Sequence, residues 1–269
     1  MKVRIHPSAV IEDGAELGAE VEIGPFCLIG RRVKLGDGVK LHSHVVVAGD
    51  TDIGARTQIY PFASIGHPPQ DLKYRGEPTR LRVGEECLIR EGVTMNPGTA
   101  AGGGVTIVGP RSVFLANSHV AHDCRLGEGV ILSNNVMLGG HCEIDDFVIF
   151  SGGAAAHQFV RVGAHAFITG ITGLADDIIP FGLVNGRRGY LAGLNYIGLK
   201  RRGFSQEAIQ TLRRAYKQMF FGPGTLKERI EDVAAAFADE APVQQMIAFL
   251  RAGGDRPICI PREGREDDE

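Results

Sequence analysis

His122 and Asp123 stand side by side in "NSHVAHDC", Gly140 and His141 follow in "GGHCE", and His119 and His157 flank them on either side. Imidazole beside a carboxylate is the pairing that general-base chemistry needs, because the carboxylate fixes the ring tautomer and stabilises the imidazolium once a proton is taken. A glycine exposes a backbone N–H that no side chain shields, as a developing oxyanion requires. Several histidines brought together also suit zinc and the activation of water. The choice depends on which elements carry these residues.

Those elements announce themselves as a repeat of six. Aliphatic residues recur at Ile5, Ile11, Leu17, Ile23, Ile29, Leu35, Leu41, Val47, Ile53, Ile59 and Ile65, resume at Val83, Ile89 and Met95, change phase in "AAGGG", and continue from Val108 through Val120, Leu138 and Ala156 to Leu174. Neither helical nor simple strand periodicity accounts for this. With the aliphatic residue as position i, position i+4 is small or β-branched, as at Val21, Cys27, Val33 and Val39. The pattern predicts a coil of short parallel strands whose i and i+4 side chains fill the interior, successive coils burying what one alone cannot. Glycine often follows the aliphatic residue, where the expectation is a turn at positive φ.

With three flat faces, eighteen residues complete a coil, and residues eighteen apart stack. His122 is then at i+2, His141 at i+3 and His157 at i+1 of one column, so the three histidines are expected on one edge, with Gly140 directly above His122 and Gln158 above that. Cys27, Cys87, Cys124 and Cys142 all fall at i+4 and are assigned to packing; Cys259 has no assignment. After about Gly198 the pattern turns helical: Ser205 caps "SQEAIQTLRRAYKQMFF", Thr225 and Glu228 have capping-box spacing, and "PVQQMIAFL" is a further helix. The expected fold is mainly β, a parallel β-helix domain over 1–190 followed by a helical domain over 191–269.

Bulk properties narrow the function classes. The 269 residues are 43% hydrophobic and 23% charged with a net charge of -3, a globular composition without overall attraction to nucleic acid. No signal-peptide core or apolar run of about 18 residues is present, and five cysteines without a CxxC fit a reducing compartment, so the expectation is a cytoplasmic protein without a membrane span. The tail "REGREDDE" reads as a solvated end. Lys200, Arg201, Arg202, Arg213, Arg214 and Lys217 form a local basic cluster without the aromatic interleaving of a nucleic-acid module.

The hexads resemble the hexapeptide-repeat acyltransferases, which implies a left-handed β-helix; that hand opposes the usual crossover preference and comes from the resemblance alone. More specifically, "GHPPQDLKYRGEPT", "NSHVAHDC", "GGHCEIDDF", "AAHQFVRVGAHAFITG" and "GLNYIGLKRRGFSQEAI" resemble the UDP-N-acetylglucosamine O-acyltransferase family essentially end to end. The resemblance implies that His122 is the general base, Asp123 its support and the Gly140 amide the oxyanion donor, in 3-hydroxyacyl transfer from acyl carrier protein to a UDP-sugar, the first step of lipid A synthesis. It implies that Asp71 binds the sugar, that Lys73 meets substrate charge, that His119, His141, His157 and Gln158 surround the sugar nucleotide and acyl group, and that Asn195 and Arg201 contact uridine and diphosphate. Gly170 takes the place of an acyl-length ruler, the basic cluster suits an acidic carrier protein, and a homotrimer with sites between subunits is implied, without cofactor or metal. One position departs from the familiar enteric form: Asn96-Pro97 replaces His-Arg, which leaves N-acyl transfer to the 3-amino analogue as a variant reading. A zinc hydratase on the same β-helix is the alternative from another class, and a noncatalytic scaffold a third.

Overall fold

A computed structural model describes residues 2–254 and 256–262; apart from Arg262, the acidic tail lies outside the described residues. Two-residue strands form three parallel sheets that face one another as a prism, a left-handed parallel β-helix. The first sheet begins with Arg4–Ile5, the second with Val10–Ile11 and the third with Glu16–Leu17. Register follows the eighteen-residue coil: Ile131 pairs with Ile149, and Ile149 with Phe167. Two insertions lengthen it, Gln58 pairing with Leu88 and Thr94 with His119. Both loops, residues 66–79 and 96–104, leave the coil between the second and third sheets.

The interior is built from the expected positions. Ile29, Val33, Val39, Val45, Val47, Ile59 and Ile65 are fully excluded from solvent, and Cys27, Cys87, Cys124 and Cys142 are buried among them. Ile5 stays 46% exposed because no coil lies beneath it. The turns correct one expectation. Positive φ falls at i+3, on Asn117 (60°), Asp123 (60°), Asn135 (59°), His141 (61°) and Phe147 (60°), and not on most i+1 glycines. Those glycines are needed for close approach instead: a Cβ on Gly54 would sit 2.4 Å from the Gly84 carbonyl carbon, and one on Gly84 2.6 Å from the Pro110 nitrogen. Backbone from one coil occupies the space a side chain of the next would need.

After Leu174 the repeat loosens. Gly182–Asn185 joins the first sheet, and Tyr190–Leu194 folds back on it as the sole antiparallel pair among the described strands. Four helices follow, α1 (Tyr196–Arg201), α2 (Gln206–Phe221), α3 (Leu226–Ala236) and α4 (Ala241–Ala252). Ser205 Oγ accepts the Ala208 N–H at 3.1 Å, and Thr225 with Glu228 forms the full capping box. The final segment returns to the β-helix, where Asp177 N–H donates to Pro257 O and Cys259 N–H to Asp177 O; Cys259, unassigned from sequence, is buried there. No helix among the described residues is long and apolar enough to cross a membrane.

Between the third and first sheets, His165 stacks between Phe147 and Phe181 with ring centroids 5.2 and 5.7 Å away, and Phe204 meets it edge-on. Burial, then the charge of Arg202, lowers its pKa below the ordinary 6.5, while Asp146 opposes the shift. The unfolded chain therefore binds a proton that the folded chain resists, so stability is complete above pH 6.5 and falls as pH drops through the lowered value. His165→Phe fits the column, since Phe147 and Phe181 already adopt φ of 60° and 65° at equivalent turns. Its unfolding midpoint should lose less than the parent's between pH 7 and 5; parallel pH curves would count against this account.

Candidate active site

His122 lies on the corner between the second and third sheets, two residues after the strand His119–Val120. His122 is 7% exposed, and its ring rests on Gly140 of the next coil, where a Cβ would come within 2.5 Å of Cε1 and 2.6 Å of Nε2. Nδ1 is 2.9 Å from Asp123 Oδ2, so the carboxylate holds the tautomer that leaves Nε2 as the basic nitrogen. The Gly140 N–H makes no hydrogen bond among the described residues. Coil spacing anticipates this placement of an imidazole, a carboxylate and a glycine on adjacent rungs.

Asp123 is almost wholly buried, and an unpaired carboxylate there would be costly. The loop 96–104 surrounds it with donors. Thr99 N–H donates to Oδ1 at 2.9 Å and Oδ2 at 3.1 Å, and Thr99 Oγ donates to Oδ2 at 2.7 Å. The Asp123 N–H in turn donates to Thr106 Oγ at 2.8 Å, which steadies the left-handed backbone. Gly98 and Gly102 make room: a Cβ on either would fall 2.7 Å and 2.1 Å from carboxylate atoms of Asp123.

His141 stacks on Phe159 at 4.4 Å between centroids and meets the His122 ring edge-on at 5.0 Å. Burial lowers its pKa, opposed by Asp123 and reinforced by His122, with Asp71 adding a smaller opposing pull. His119 Nδ1 is 2.7 Å from Thr94 Oγ, and burial followed by the His122 charge lowers its pKa as well. Both flanking imidazoles are thereby held toward the neutral form. His157 is exposed and turned aside, its Nδ1 2.5 Å from the Arg256 guanidinium, which also binds the carbonyls of Gln158 and Ala175. The expected cluster of three histidines is thus a pair with an aspartate.

One ligand atom from each of His122, Asp123 and His141 lies within 4.8 Å of the others, spacing that a metal could bridge. The donor set argues for the hydrogen-bonded state, because Oδ2 already accepts from His122 and Thr99. Asp71 and Lys73 sit on the loop 66–79, where Asp71 Oδ1 accepts the Lys73 N–H at 2.9 Å. Asn96 is buried and donates to His67 O at 3.1 Å and Pro68 O at 3.3 Å, pinning the start of that loop. Gly170 is on the corner between the first and second sheets and is exposed. Asn195 caps α1, accepting from Gly198 N–H at 3.0 Å and donating to His165 O at 2.9 Å. Its bond to His165 O places it at the corner between the third and first sheets, and with Arg201 it borders an apolar cleft of about 500 Å³ against the first sheet, lined by Ile149, Phe167, Leu194 and Tyr196. His122 and the Asn195–Arg201 pair therefore occupy different corners of one protomer. Thr99, Thr106 and Arg256 escaped the sequence reading: Thr99 lies where the hexads lose phase, Thr106 beside the resumption, and Arg256 beyond the repeat.

A histidine–aspartate pair on the corner of a hexapeptide-repeat β-helix is an arrangement suited to acyl transfer. Residues 177–259 match the sequence family described as "Udp N-acetylglucosamine O-acyltransferase; Domain 2". The acyl-[acyl-carrier-protein]--UDP-N-acetylglucosamine O-acyltransferase of Rhizobium johnstonii is 50% identical over 98% of this chain and 97% of its own. That of Anaeromyxobacter sp. strain K is 51% identical over 94% and 98%. The solved Acinetobacter baumannii enzyme LpxA is 38% identical, with a TM-score of 0.91 over 95% of this chain and 99% of its own. The chain belongs to the UDP-N-acetylglucosamine O-acyltransferase family.

Because both oxygens of Asp123 face donors, Asp123→Asn would turn one of those oxygens into an NH₂ that meets Thr99 or His122 as a second donor. Unfolding free energy should fall by about 1–3 kcal/mol, the usual cost of a buried mismatched polar pair. Chemical denaturation checks this, and unchanged stability would contradict the hydrogen-bond assignment.

Proposed function

We propose that the chain transfers a 3-hydroxyacyl group from acyl carrier protein to the 3-hydroxyl of UDP-N-acetylglucosamine, opening lipid A synthesis in the cytoplasm, with His122 as general base. The observation that carries the assignment of the base is the His122 Nδ1 to Asp123 Oδ2 hydrogen bond of 2.9 Å, beside a glycine that leaves space over the ring. Nε2 takes the proton of the sugar hydroxyl as its oxygen attacks the thioester carbonyl. The Gly140 N–H receives the oxyanion, and Asp123 balances the imidazolium. Collapse breaks the C–S bond, and His122 returns the proton to the departing thiolate. No resident metal or cofactor enters these steps.

Face chemistry supports a homotrimer. The third sheet turns outward ion pairs such as Lys34–Glu16 and Arg80–Asp50, both solvated. The first sheet carries ion pairs of Arg4 and Lys40 with Glu22 in its early coils, and from there on presents Leu88, Val113, Ile131, Ile149 and Phe167; the second sheet presents Val10, Leu28 and Met137. Packing the first sheet of one copy on the second of the next, around a threefold axis, buries both apolar faces. The same operation brings the His122 corner of one copy toward the Asn195–Arg201 corner of its neighbour, so a single UDP-sugar meets both. Asp71, Lys73, His119, His141 and Gln158 share the His122 side of that cleft; Gly170, exposed on the corner between the first and second sheets, has no side chain to limit the length of the acyl tail. The basic cluster around Arg213 and Arg214 on α2 receives the acidic carrier protein.

His122→Ala should retain the fold and lower kcat by about 10²–10⁴, the usual range for a lost general base; undiminished transfer would remove His122 from that role. In a mass-resolved assay with UDP-N-acetylglucosamine and its 3-amino analogue, acylation of the 3-hydroxyl should dominate. Preference for the amine would instead favour the N-acyl reading raised by Asn96, whose own amide is engaged by the loop backbone.

A further inference from the structure

The nine-residue segment 96–104 interrupts the hexads just before the coil that carries the base, and its interruption has a chemical use. Thr99 reaches Asp123 with two groups at once, its backbone N–H and its hydroxyl, and both land on the carboxylate that orients His122. Thr99 is 4% exposed and Asp123 5%, so the pair lies beneath the surface. The hydroxyl also accepts the Gly102 N–H at 3.2 Å, so one short 3-10 turn, Ala100–Gly102, is tied to the same oxygen. Gly98 and Gly102 are the positions where any Cβ would strike that carboxylate. A regular six-residue turn provides no such enclosure. At Gly140–His141, one coil up, the equivalent corner turns without an insertion.

We infer that Thr99 is a positioning residue for the reaction, its hydroxyl holding the Asp123 carboxylate in the plane that aims His122 Nε2 at the acceptor. The inference rests on His122 acting as the base. Asp123 has rotational freedom about its terminal bond, and two-fold wells there are broad. Donors from the Thr99 backbone alone span both oxygens at 2.9 and 3.1 Å and leave that rotation poorly fixed; the 2.7 Å hydroxyl contact on Oδ2, the same oxygen that meets Nδ1, selects one orientation. Deleting it lets the carboxylate turn and the imidazole follow. Ground-state binding of the sugar nucleotide involves other groups, so the loss falls on the chemical step.

The test compares Thr99→Val, which keeps the shape and removes the hydroxyl, with Thr99→Ser, which keeps the hydroxyl and removes the methyl. Both are assayed as full-length protein with saturating acyl carrier protein substrate and varied UDP-sugar, after circular dichroism has shown a native spectrum. The valine variant should lose about tenfold to hundredfold in kcat, the range for a hydrogen bond to a charged group, with KM for the UDP-sugar unchanged. The serine variant should recover most of it. Equal losses in valine and serine, a rise in KM without a fall in kcat, or full activity of the valine variant would each overturn the positioning role. A failure of the base assignment itself shows separately, as activity in His122→Ala, and does not depend on the Thr99 variants.

Discussion

Coil must lie on coil at the spacing of hydrogen-bonded strands, about 4.8 Å, and everything else in this protein follows from meeting that distance at three corners in every turn. Interior side chains must be bulky at i and slim at i+4, or adjacent faces could not close on one another. Where the corner folds most tightly the chain has no room for a Cβ, which is why Gly54 and Gly84 meet the backbone of the following coil. The remaining corner position accepts a left-handed residue of almost any type, including a bulky phenylalanine, at an intrinsic cost of about 1–2 kcal/mol each. Stacking supplies the compensation, since most of these turns are tied to the preceding coil by a backbone hydrogen bond, as His141 N–H is to His122 O and Phe147 N–H to Glu128 O.

That rigidity is what the chemistry uses. A side chain on a flexible loop must be ordered anew when substrate arrives, whereas His122, the proposed base, is held between a carboxylate at its side and a glycine above. The left-handed conformation at Asp123, otherwise one strained turn among many, directs its carboxylate back toward the preceding residue. Flanking His119 and His141, kept toward the neutral form by burial, bring hydrogen-bonding capacity without a competing positive charge. The C-terminal segment closes the same edge from the other end, through Arg256 on His157 and Gln158.

Much of this was legible from residue types because a six-residue period fixes both direction and height. Knowing that Val120, Leu138 and Ala156 point inward was enough to place Gly140 over His122 and to assign four cysteines to the interior. The period says nothing once it is interrupted, so Thr99 was invisible, although it is the principal partner of Asp123. Nor does it report how far a side chain leans: His157 occupies the expected corner but turns to a guanidinium that comes from a hundred residues downstream. Glycine after the aliphatic residue was visible as a pattern and misread as a turn requirement, because the demand comes from the neighbouring coil rather than from the local backbone. The helix caps at Ser205 and Thr225 were readable for the opposite reason, being wholly local.

The two loops that break the ladder, 66–79 and 96–104, both depart from the corner that bears His122, and the remaining corners keep an uninterrupted count through those coils. A solenoid of this kind behaves as a graduated rod: a side chain moved by eighteen residues rises one rung and keeps its compass bearing. Side chains can then change on single rungs, or a loop lengthen at one edge, while the rod's pitch and its other two edges stay the same.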